Sequence, residues 1–161
     1  MSDQPFQQLG KFIYNFQLVE TLIKDLIELI ANSDDEMIRI LMNELSFSQK
    51  VKTVNVMFSR LIDVKNNTIE SDKSDFHKLM SKILKLAERR NDLVHSRYYS
   101  YLSQEHEIGL LRKNSKLRGK SGVREETEEV LFSVNFNDDF EKLSEVINHL
   151  EQFRLKIIDL V

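Results

Sequence analysis

A chain of 161 residues with one proline and four glycines has few places at which to turn sharply or break a helix. A few long helices fit that scarcity better than many short strands, and the hydrophobic pattern agrees. From Phe6 to Ala31 the apolar positions Leu9, Phe12, Ile13, Phe16, Val19, Leu22, Ile23, Leu26, Ile27 and Ile30 follow steps of three and four. Leu18 and Leu29 widen the stripe, as expected of a helix packed on more than one side. Asn32-Ser33-Asp34-Asp35 supplies a break and a cap for a shorter helix, Glu36 to Leu45. Ser46 or Ser48 caps a third, through Val51, Val54, Met57, Phe58, Leu61 and Ile62, which Asn66-Asn67-Thr68 ends. A fourth starts near Asp72 or Ser74 and carries Phe76, Leu79, Met80, Ile83, Leu84 and Ala87. A last helix, capped by Asn137 or Asp138, carries Phe140, Leu143, Val146, Ile147, Leu150, Phe153 and Ile157.

Between Tyr98 and Phe136 the helical period disappears. Tyr99 to Leu102 and Ile108 to Leu111 read as extended, and Val130 to Phe136 alternates like a strand. The expected architecture is a mainly α domain spanning 1–161. It is a four- or five-helix bundle with a β-hairpin or three-strand insertion, at about 98–136, before the last helix.

Composition narrows the chemistry. No cysteine is present, so disulfides and thiolate metal sites are excluded, and neither a metal site nor a cofactor is expected. Met1 to Gln8 shows no charged n-region with an apolar core behind it, which leaves a cytoplasmic address by default. No apolar run approaches the roughly 20 residues of a spanning helix, so no membrane partner is expected. The net charge of −3 does not advertise nucleic acid, and such binding needs a local patch.

On a helical wheel with Phe76 at zero, Met80, Ile83, Ala87 and Val94 fall within about 40°. Arg90 lies near −40°, Asn91 at about 60° and His95 near 100°. The wheel thus brings three polar side chains onto the buried stripe or its border. Asn91 and His95 are spaced so that the amide can hold the imidazole in one tautomer. The same pair can also serve only as a cap or as a bond to a neighbouring helix.

Arg90, Asn91, three further residues and His95 at a helix end resemble the signature of the HEPN superfamily. Arg-Asn, three residues and His has a chance expectation of about one per cent in a chain like this. Active HEPN relatives are metal-independent endoribonucleases that act as dimers, with the two motifs meeting at the interface. The resemblance implies that His95 takes the proton of a ribose 2′-hydroxyl and that Arg90 binds the scissile phosphate. Asn91 would orient either one, and the product would be a 2′,3′-cyclic phosphate. It also implies a homodimer, an RNA partner, a toxin or defence role and an antitoxin or activator protein. Relatives paired with nucleotidyltransferase antitoxins carry Tyr two residues after the His, where this chain has Arg97. Other HEPN domains are non-catalytic dimerisation or nucleotide-binding modules.

Arg112, Lys113, Lys116, Arg118 and Lys120 form a basic run with no acidic residue among them. With Tyr98, Tyr99 and Tyr101 upstream, the run reads as a surface for phosphate tracking and base stacking. It reads equally as a solvated loop kept flexible by Gly119 and Gly122 and neutralised by Glu125, Glu126, Glu128 and Glu129. Gly119-Lys120-Ser121 lacks the earlier glycine, the preceding strand and the following apolar helix of a phosphate-binding loop.

Overall fold

A computed structural model describes residues 4–65 and 71–161. The element order is α1 (Pro5–Ala31), α2 (Asp35–Asn43), α3 (Phe47–Val64), α4 (Ser71–Val94), β1 (Arg97–Leu102), β2 (Ile108–Arg118), β3 (Val123–Leu131), a 3-10 turn (Ser133–Phe136) and α5 (Asn137–Ile158). Asn66-Asn67-Thr68, the expected end of α3, lies outside the described residues. Among the described residues no helix is long and apolar enough to cross a membrane.

Local chemistry sets the helix boundaries. The left-handed Asn32 ends α1, and its N–H still donates to the Glu28 carbonyl. Asp34 caps α2 by accepting from the Met37 N–H at 2.9 Å. That helix ends at Asn43 rather than Leu45. Ser46, not Ser48, caps α3, in a reciprocal box with Gln49: the Ser46 N–H donates to the Gln49 side chain at 2.8 Å, and the Gln49 N–H donates back at 3.3 Å.

The four long helices form a ring in which α1 and α4 each pack against both α3 and α5, while α2 rests on α1. Each presents one apolar face to a shared core, which is why their stripes are wide. At the centre Phe58 stacks on Phe76 at 4.1 Å between centroids, and Phe153 meets both rings edge-on. Leu18, expected in the core, is 46% exposed, because the neighbours of α1 leave that side open.

The insertion is a three-stranded antiparallel sheet in the order β1-β2-β3. Leu131 on β3 is buried, and Tyr98 and Leu110 pack against the core from β1 and β2. Two expectations need correction. The strand expected over 130–136 stops at Leu131, because the chain turns there into 3-10 geometry that buries Phe136. The Asn135 side chain closes this turn by accepting from the Phe132 N–H at 2.7 Å. In consequence neither Asn137 nor Asp138 caps α5. The backbone enters that helix already helical from the turn, and Phe136 occupies the cap position.

Candidate functional site at the end of α4

The last turn of α4 exposes carbonyls that no intrahelical N–H reaches. The chain that follows supplies the donors. The His95 N–H takes the Asn91 carbonyl at 3.0 Å, the Ser96 hydroxyl donates to the Asp92 carbonyl, and the Tyr98 hydroxyl donates to the Leu93 carbonyl at 2.6 Å. Arg112 reaches across from β2, donating to Ser96 Oγ at 3.1 Å and to the Asp92 carbonyl at 3.4 Å. A guanidinium at a helix C-terminus also meets the negative end of the dipole. Burial pushes the Tyr98 phenol above its ordinary range, despite the nearby Arg112 and Arg89.

Arg112 continues a charged chain through the junction of helix and sheet. Its Nε donates to Glu129 on β3 at 2.9 Å, and the same carboxylate oxygen accepts from Arg89 Nη1 at 3.1 Å. Arg89 reaches onward to Asp139 on α5. Burial raises the Asp139 carboxyl above its ordinary range, and Arg89 opposes this only in part.

The motif lies beside this chain but outside it. Arg90 is half-buried, its guanidinium 5.8 Å from the Phe16 ring centroid on α1, and it donates to Asn91 Oδ1 at 3.1 Å. Asn91 and His95 are exposed, so the expected placement on the buried stripe holds only for Arg90. Val94, expected in the core, is 42% exposed, and Leu93 takes its place. The expected Asn91 bond to the imidazole is replaced by the Asn91–Arg90 bond. Among the described residues, neither Asn91 nor the His95 imidazole makes a side-chain hydrogen bond to another element.

His95 stands where two clefts meet. The first, about 430 Å³, lies on the outer face of the sheet, with Arg97, Tyr99, Lys113, Arg124 and Glu128 in its walls. The second, about 390 Å³, lies under the overhanging hairpin and brings in Glu88, Asn91, Asp92 and Lys116. Arg90 is in the lining of neither.

The basic run is not a loop. It forms the outer half of β2 and its turn, set in register against the acidic β3: Arg112 opposite Glu129, Lys113 opposite Glu128, and Lys116 opposite Glu125. Most of its charges are paired. Arg112 is buried, Lys113 bonds Glu128 at 2.7 Å, Lys116 bonds Asp92 at 2.5 Å and Arg118 bonds Glu125 at 2.7 Å. Glu128 accordingly holds the Lys113 ammonium above its ordinary range. Tyr98 faces the bundle, so its ring is not presented for stacking. Lys120 lies exposed at the turn.

Sequence reasoning named Tyr99 as a stacking residue but passed over Arg97 and Arg124 as cleft residues. The alternation Arg97-Tyr99-Tyr101 on a strand was the signal available for Arg97. Arg89, Glu129 and Asp139 carried no local signal, because they meet only in three dimensions. Comparison with family models, with characterised proteins and with solved structures finds no match to this chain.

Proposed function

We propose that the chain is an endoribonuclease of HEPN type with a toxin or defence role, acting at the end of α4. The observation that carries this reading is a division of labour among adjacent polar residues. Arg89, Ser96, Tyr98 and Arg112 fasten α4 to its neighbours, whereas Asn91 and His95 fasten nothing. An exposed imidazole between two clefts is available to a ligand at no cost to the fold.

In the proposed reaction His95 removes the proton of a ribose 2′-hydroxyl. The 2′-oxygen attacks the adjacent phosphorus, and the bond from phosphorus to the 5′-oxygen breaks. That oxygen leaves taking a proton from water, and His95 returns its own proton to solvent, giving 2′,3′-cyclic phosphate and 5′-hydroxyl ends. Arg90 neutralises the phosphoryl oxygens after turning from Phe16 toward His95. The attacking group belongs to the substrate, so the reaction asks for no activated water. A homodimer with the two α4 ends adjacent would supply a second Arg90 and His95, and an antitoxin or activator would act by covering or freeing them.

The test pairs cleavage with melting. RNA incubated in EDTA with the wild type should acquire cyclic phosphate ends, and His95→Ala and Arg90→Ala should lose this while keeping their melting temperatures. A solution mass of 19.0 kDa at working concentration would count against the dimer. A second reading, a non-catalytic RNA-binding module, is favoured by the Arg90 guanidinium lying against Phe16 rather than in the clefts of His95. Wild type that binds RNA without cutting it would decide for that reading.

A further inference from the structure

The outer face of the sheet carries groups that the fold does not use. Arg97 and Tyr99 alternate on β1 and therefore share that face, next to Lys113 and Leu111 of β2. Tyr101 continues the row, edge-on to Phe132. Tyr99 is 49% exposed, with Lys113 Nζ 5.9 Å from its ring centroid.

The charges along the cleft are unequal in availability. Lys113 is engaged with Glu128, and Arg124 with Glu126, each at 2.7 Å. Arg97 makes no ion pair among the described residues, which leaves one uncompensated guanidinium in the wall, two positions after His95. The volume, about 430 Å³, falls in the range of small-ligand sites.

We infer that this face is a track for single-stranded RNA, on which Arg97 holds a backbone phosphate and Tyr99 stacks a base beside the nucleotide presented to His95. The assignment to RNA rests on the proposed function, whereas the phosphate and stacking sites rest on the sheet itself. An exposed ring next to a free guanidinium suits an unpaired strand, whose bases are open to stacking and whose phosphates need a cation. In a duplex the bases are closed to it.

The experiment measures binding of a short fluorescein-labelled RNA of mixed sequence, and of its DNA counterpart, over a salt series in EDTA. Tyr99→Ala should weaken both by about fivefold or more. Arg97→Gln should weaken both and lower the slope of log K against log salt by about 0.7, the loss of one phosphate contact. Normal binding by the Arg97 and Tyr99 variants, with cleavage still lost in His95→Ala, overturns the track and leaves the nuclease standing. Weakened binding by those variants, with no cleavage by the wild type, supports the track and removes the nuclease. If Tyr99→Ala leaves binding unchanged and instead halves the solution mass, the face joins two copies of the chain and the inference fails.

Discussion

Arg89 of α4 donates to one carboxylate oxygen of Asp139 on α5 through both Nε and Nη2, each at 3.3 Å. Both side chains are largely withdrawn from water, so neither charge is well solvated without the other. Removing one partner of such a pair is expensive, because the remaining charge stays buried.

Arg89→Ala should therefore destabilise the fold by about 2–4 kcal/mol. Asn91→Ala and His95→Ala, close by on an exposed surface, should stay within about 0.5 kcal/mol of wild type. Urea denaturation of the three variants checks the contrast. Equal losses at all three would mean that the motif holds the fold together.

Asp139 also makes stability depend on pH. Its folded pKa lies above 3.8, so the folded state keeps the proton at pH values where the unfolded chain has released it. Its contribution then falls as pH rises from 3.8 through the folded value, and levels off beyond. Relative to Asp139→Asn, the wild type should lose stability across that interval. Denaturation midpoints of both proteins over an acid pH series measure it, and a wild-type advantage that grew with pH would contradict the sign.

Gly109 tests how the sheet is held. A Cβ there would lie 2.9 Å from a ring carbon of Phe132 and 3.3 Å from the Leu131 carbonyl oxygen. Phe132 must give way, and its edge contact with Tyr101 goes with it. Gly109→Ala should cost about 1–2 kcal/mol, read as a lower melting temperature with the helical content of the native state retained.

Reversing Lys116 and Arg118 together to Glu removes two exposed ion pairs and sets new carboxylates beside Asp92 and Glu125. The stability loss should remain near 1 kcal/mol, since exposed pairs contribute little. If the hairpin also carries phosphate, RNA affinity and its salt dependence should both fall, as a titration at two salt concentrations would show.

The helices were legible because their periodicity is strong, yet the wheel misplaced the end of α4. Its buried residues repeat at sevens: Phe76 with Ile83, Leu79 with Leu86 and Leu93, and Met80 with Ala87. Against an ideal helix a seven-residue repeat drifts by about 20° each time. By the last turn the stripe has moved roughly 50° toward Arg90 and Leu93, which carries Asn91, Val94 and His95 outward. The basic run was misread as a loop because its alternation is polar on both faces beyond the bundle, and hydrophobic period is blind to such a strand. Its pairing with Glu125 to Glu129 was visible as sequence charge, but the register that matches them belongs to the hairpin turn. The cap at Asn137 or Asp138 failed because a preceding 3-10 turn removes the need for one.

One oxygen of Glu129 serves both Arg89 and Arg112. One guanidinium from the helices and one from the sheet thus share an acceptor, beside the Tyr98–Leu93 and Lys116–Asp92 bonds that also join α4 to the strands. Without that carboxylate, two neighbouring guanidiniums lose the negative charge between them, and Arg112 keeps only Ser96 and the Asp92 carbonyl at the end of α4. Amides of β2 and of the α4 end should accordingly exchange with solvent deuterium as one cooperative unit. Glu129→Gln should speed both sets together while leaving the amides around Phe58 and Phe76 slow.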